Sequence, residues 1–102
     1  MSMSFGQIKH RVMVILESVK KKHPSQHAKD ETSISRLAGV VDHMIESNFP
    51  EDNIGEILDL IKSTSVELFN QVLARSKYST KCRQIHSKYV WRQKLKRAKA
   101  MR

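Results

Sequence analysis

Between Phe5 and Leu73 the apolar residues recur at spacings of three and four. That is the period of an amphipathic helix and not the alternation of a strand. From Ser4 to Lys22, the residues Phe5, Ile8, Val12, Ile15, Leu16 and Val19 share one face, and Lys20, Lys21 and Lys22 close the segment. Cations there suit the negative end of a helix dipole. "HPSQHAKDE" then reads as a loop, with Pro24 as a stop. A second helix is predicted over Ser33–Ser47, with Thr32 or Ser33 as N-cap and Ile34, Leu37, Ala38, Val41 and Ile45 as its stripe. "NFPEDN" ends it and opens a third, with Pro50 in the first helical position and Glu51 and Asp52 in the first turn.

The third stripe is Ile54, Ile57, Leu58, Ile61, Leu68, Phe69, Val72 and Leu73. "KSTS" at 62–65 is its weakest patch and the place for a bend. No Gly or Pro lies between Val66 and Arg102, so the helix either runs on or breaks near "KYSTK" at 77–81. Beyond that break Cys82, Ile85 and Tyr89 fall on one face, and Trp91, Leu95 and Ala98 on a shifted one. With three Gly and two Pro in 102 residues, strands and hairpins have little room. The expectation is an all-α chain of three to four helices with a long third helix. Residues 1–74 form the core and dimerisation region, and residues 75–102 a basic helical segment. Broad stripes, a small core and a long helix together predict a homodimeric bundle.

Charge changes this picture more than composition does. The net charge is +9. Residues 1–23 carry five cations and one anion, 24–50 two and four, 51–74 one and five, and 75–102 eleven and none. A chain that needed charge only for solubility would mix its signs; here they are segregated. The carboxylates Glu51, Asp52, Glu56, Asp59 and Glu67 read as dipole partners of a first turn and a solvated face.

The cationic end is the candidate site for a polyanion. Its residues are Arg75, Lys77, Lys81, Arg83, Lys88, Arg92, Lys94, Lys96, Arg97 and Lys99, with Arg102 at the end. Arginines fork onto phosphate oxygens, while lysines act as point charges. Neutralising about six duplex phosphates would give log affinity a slope near −5 against log salt. Lys9 and Arg11 on the first helix are candidate extensions, although Arg11 lies well round from Lys9. Tyr78, Tyr89 and Trp91 are interleaved and could stack on unpaired bases, with Tyr89 better placed for the core. "KLKRAK" at 94–99 also fits a nuclear-import cluster.

Other chemistries are poorly served. His23-x3-His27 and Cys82-x3-His86 are two pairs far apart in the chain, without the remainder of a four-ligand zinc pattern. A Cys82/His86 nucleophile pair has no orienting group or oxyanion signature. No Gly-rich phosphate loop is present. The expectation is a non-enzyme with no catalytic residues, cofactor, metal or small-molecule substrate. One cysteine, no long apolar run and no secretory h-region lead to the expectation of an intracellular protein, in cytoplasm or nucleus and off the membrane.

Two likenesses bear on the polyanion. "ISRLAG" at 34–39 and "RQIHSKYVWRQKLKR" at 83–97 resemble parts of a histone fold, which implies a short helix, a long central helix and duplex-DNA binding. The chain departs from that pattern by several residues in between and adds an N-terminal helix, so no residue role carries over. In size and charge it is similar to the nodavirus silencing suppressors, small helical dimers that bind double-stranded RNA. The expected function is nucleic-acid binding with low sequence specificity, RNA somewhat favoured over DNA, by sequestration or coating. Histone-like or transcriptional DNA binding is one alternative. A protein-interaction module whose basic tail docks an acidic partner is the other.

Overall fold

The computed structural model describes residues 3–100. They form five α-helices, α1 (Phe5–Lys20), α2 (Glu31–Glu46), α3 (Glu51–Thr64), α4 (Val66–Arg75) and α5 (Ser79–Ala100), with a 3-10 helix at Pro24–Lys29 between α1 and α2. There is no strand among the described residues. Arg102 lies outside them.

Each boundary has a local cause. Ser4 caps α1 in a capping box: its hydroxyl accepts from Gln7 N at 3.2 Å, and Ser4 N donates to Gln7 Oε1 at 2.9 Å. α2 is capped by Asp30 and not by Thr32 or Ser33. The Asp30 carboxylate accepts from Ser33 N and Ser33 Oγ and is held by Lys22 Nζ at 2.7 Å. α2 ends on Asn48 in the left-handed region, φ 58°. There Asn48 N donates to Ile45 O and Phe49 N reaches back to Met44 O at 3.0 Å. Asn takes the place that Gly usually holds in this motif. Pro50 is the N-cap of α3 and not its first helical residue, so the helix starts one position later than expected.

The long third helix and the three-to-four count do not hold. The stretch 51–75 is cut at Ser65, whose backbone is extended at φ −163° and ψ 120°. Its hydroxyl accepts from Leu68 N at 3.2 Å and starts α4 afresh. A serine cap competes with helix continuation because its side chain supplies what the next turn's amide needs. The long central helix implied by the histone likeness is therefore not adopted.

α3 packs against all four other α-helices and forms the centre. The core draws on every α-helix, from Ile8 and Val12 through Leu37, Val41, Ile57, Leu58, Leu68 and Leu73 to Cys82 and Ile85. So the core continues past residue 74, and the first half of α5 belongs to it. The stripes read from the sequence close on one another within one chain, and they do not themselves require a second copy.

Asp30 carries a testable pH dependence. Burial alone would raise its pKa, but the Lys22 ion pair and the Ser33 hydrogen bonds outweigh it and hold the carboxyl below its usual range. A depressed carboxylate adds stability above its unfolded value and loses it as pH falls through the folded value. Asp30→Ala is expected to cost about 1 kcal/mol in urea unfolding at pH 7, the usual loss on removing an N-cap. Asp30→Asn keeps the cap without the charge. Its stability gap to wild type is expected at neutral pH and to close as pH drops below the carboxylate range.

Candidate nucleic-acid interface

α5 is 22 residues long, about 33 Å at the rise of an α-helix. One side is seated. Cys82, Ile85 and His86 are buried, and Tyr89, Val90, Arg92 and Gln93 are half-buried. α5 runs antiparallel to α3, since Asp59 meets His86, Gly55 meets Tyr89 and Asp52 meets Arg92. Arg92 is thus level with the first turn of α3. Residues 94–100, all exposed, continue past it as two helical turns.

The joint before α5 is fixed by a polar row on α2. Glu31, Ser35, Asp42 and Glu46 lie along one side of that helix and take Arg75, Ser76, Lys77 and Tyr78 in turn. Arg75 donates to Glu31 Oε2 at 2.6 Å and to Ser35 Oγ at 3.0 Å. Buried Asp42 accepts from Ser76 Oγ and from Lys77 N at 3.1 Å. The Tyr78 hydroxyl donates to Glu46 Oε2 at 2.9 Å, which pushes its pKa up. No local pattern announces this row, because its partners lie 32 to 44 residues away in sequence.

Glu51 and Asp52 sit in the first turn of α3 as expected, and three of its four acids reach cations of other helices while remaining partly in solvent. Asp52 Oδ1 is 2.7 Å from Arg92 Nη2, Asp59 Oδ1 is 3.1 Å from His86 Nε2, and Glu56 Oε2 is 2.6 Å from Lys9 Nζ. These contacts register α5 and α1 on α3. Arg92 Nε and Nη2 nevertheless lack a well-directed hydrogen bond, so the Asp52 contact is an ion pair of charge more than of geometry. Such half-exposed pairs contribute about 0–1 kcal/mol each. They do, however, decide which cations remain for a ligand.

The sequence-predicted set divides accordingly. Arg75, Arg92 and Lys9 are engaged with carboxylates of their own chain. Arg11 sits on the α1 side that faces α2, away from α5. Lys77, Lys81, Arg83, Lys88, Lys94, Lys96, Arg97 and Lys99 are exposed and make no ion pair among the described residues.

Within this cationic surface stands Trp91, 62% exposed, followed by Leu95 one turn on. Arg83 and Lys94 flank the Trp91 line on one side, and Lys81, Lys88 and Lys99 on the other, by the 100° step of the helix. Tyr89 points the opposite way. Its Cβ would lie only 2.5 Å from a Cβ at Gly55, and burial, then the nearby carboxylates Glu56, Asp59 and Asp52, raise its pKa. Cys82 is fully buried 3.7 Å from Ser76 Oγ, and burial pushes its thiol up, which makes it a poor nucleophile. His27 Nε2 is 3.2 Å from Lys22 O, and His23 Nδ1 accepts from Ser25 N. No cluster of three or more His, Cys, Asp or Glu suited to a metal occurs among the described residues. No helix among them is long and apolar enough to cross a membrane.

No known protein family, curated protein or solved structure matches the chain.

Proposed function

We propose that the chain is a non-enzymatic nucleic-acid-binding protein in which the outer surface of α5 lies along phosphates while Trp91 meets an unpaired base. The observation that supports this most is the set of exposed cations, without ion pairs among the described residues, that surrounds an exposed tryptophan on one helix. Phosphate contact supplies affinity without sequence information. Stacking on Trp91 adds affinity with little base preference. RNA is favoured over DNA because its loops, bulges and ends offer splayed bases. No helix with base-reading side chains is needed, and the action is coating or sequestration. A homodimer would double the cationic surface, but binding by α5 does not depend on one.

The test is competition among single-stranded RNA, duplex RNA and duplex DNA of equal length at two salt concentrations. Trp91→Ala is the decisive variant. Loss of one stacked base is expected to weaken single-stranded RNA binding about 5- to 150-fold, the equivalent of 1–3 kcal/mol. Duplex binding should stay within about twofold. An equal loss on duplexes would remove the stacking role, and weak binding to all three ligands would remove the nucleic-acid reading itself.

The docking of α5 cations on an acidic protein is a second reading, and the same salt dependence would accompany it. Nucleic acid that co-purifies through a moderate-salt wash separates the two.

A further inference from the structure

A groove of about 870 Å3 runs between α1 and α2, and α5 contributes nothing to its lining. Its base is apolar. Ile8 and Ile15 are buried beneath it, Val40 is half-buried, and Val14 lies in it 57% exposed. Its two walls are cationic: Arg11 on α1 and Arg36 on α2, with His10 and His43 beside them. No Asp or Glu lines it. Neither Arg11 nor Arg36 makes an ion pair among the described residues, whereas Arg75 and Arg92 each have one.

We infer that this groove docks an acidic amphipathic helix of a partner protein, with its apolar residues between α1 and α2 and its carboxylates on Arg11 and Arg36. Arg36, Gly39, Val40 and His43 follow the i, i+3, i+4, i+7 spacing of one helix face. Gly39 leaves open space on that wall, since even a Cβ there would meet nothing within 4 Å, so a partner backbone can come close. An apolar floor between two cationic walls is the complement of an apolar helix stripe edged by acids. Two charge arguments narrow the occupant. A two-fold contact between copies through this face would set the arginines of both copies against one another. Of the four acids on α3, Asp52, Asp59 and Glu56 already face Arg92, His86 and Lys9, which leaves Glu51 of that helix to reach a neighbour's groove.

The probe is a synthetic 16-residue helical peptide with Leu at i, i+3, i+4 and i+7 edged by Glu. A Glu→Gln version and decanoate serve as comparisons. Each is titrated into the isotope-labelled full chain at physiological salt, and amide shifts are followed by NMR. The expected result is saturable movement at Val14, Gly39 and Val40. Arg11→Glu with Arg36→Glu should weaken it at least tenfold, as should Val14→Asp, all at exposed positions that leave the thermal midpoint in place. A chain with Arg83, Lys88, Lys94 and Lys99 changed to Glu should bind the peptide at the groove as wild type does, which keeps this result separate from the nucleic-acid reading. Shifts confined to α5 would overturn the inference, as would undiminished binding by the Arg11/Arg36 variant. Equal binding of the Gln peptide, or binding of decanoate without the peptide, would do so as well.

Discussion

Changing Arg83, Lys88, Lys94 and Lys99 to glutamate is expected to abolish nucleic-acid binding at about 100 mM salt, a loss of at least a thousandfold. The four positions flank Trp91 on both sides of the α5 surface, and all four side chains are exposed without an ion pair among the described residues. Each substitution removes a phosphate partner and sets a like charge in its place. If about six cations contact duplex phosphates, the slope of log affinity against log salt should fall from near −5 to near −2. The variant's helical circular dichroism and melting temperature should stay close to wild type, since none of the four packs into the core. Arg75→Ala is the matched control. Its guanidinium is already taken by Glu31 and Ser35, so binding should stay within about twofold. Arg92 belongs in neither set, because a glutamate there would face Asp52 and disturb the seating of α5. Normal binding by the fourfold variant would remove α5 as the site.

Which cations were available is the part of the site that the chain order hides. Segregated charge was visible in the sequence, and so was the change of face between Cys82–Ile85–Tyr89 and Trp91–Leu95–Ala98. The structure realises that change as a seated half and a projecting half of one helix. Ion pairing is another matter. Arg92 meets Asp52, and Arg75 meets Glu31, across separations of forty residues or more. A periodicity argument reports what shares a face, not what lies opposite it. The same limit hid Asp42, a buried acid on a helix that otherwise reads as an ordinary stripe. The α1 and α2 stripes were legible because each is a continuous run of helical spacing with one buried side. Ser65 was half legible: the Ser/Thr cluster marks a weak point, but whether it bends or ends the helix depends on where α4 must pack against α2 and α3. Asp30 was missed because two plausible caps, Thr32 and Ser33, follow within three residues, and Asp30 is held by Lys22, eight residues earlier.

Gly55→Ala and Gly39→Ala, chemically the same change on an interior and an exterior helix face, should move stability in opposite directions. Alanine is favoured over glycine in a helix by about 1 kcal/mol, through backbone entropy. At Gly39 a Cβ meets nothing within 4 Å, so that gain should appear almost whole, as a rise in melting temperature of about 4–8 °C. At Gly55 the added Cβ would lie 2.5 Å from Tyr89 Cβ and 2.7 Å from its Cγ. The obstructing atoms sit next to the backbone of α5, and no rotamer change moves a Cβ. α3 and α5 must therefore separate, which loosens the seam formed by Ile85, His86 and Tyr89. Overpacking of this kind costs about 1–3 kcal/mol, and the lost seam contacts add to it. The net expectation is a fall of about 10–20 °C in melting temperature. Tyr89→Gly in the Gly55→Ala background should recover part of that loss, because it removes both the obstructing Cβ and the ring. A double variant no more stable than Gly55→Ala alone would mean that the α3–α5 seam does not limit stability here.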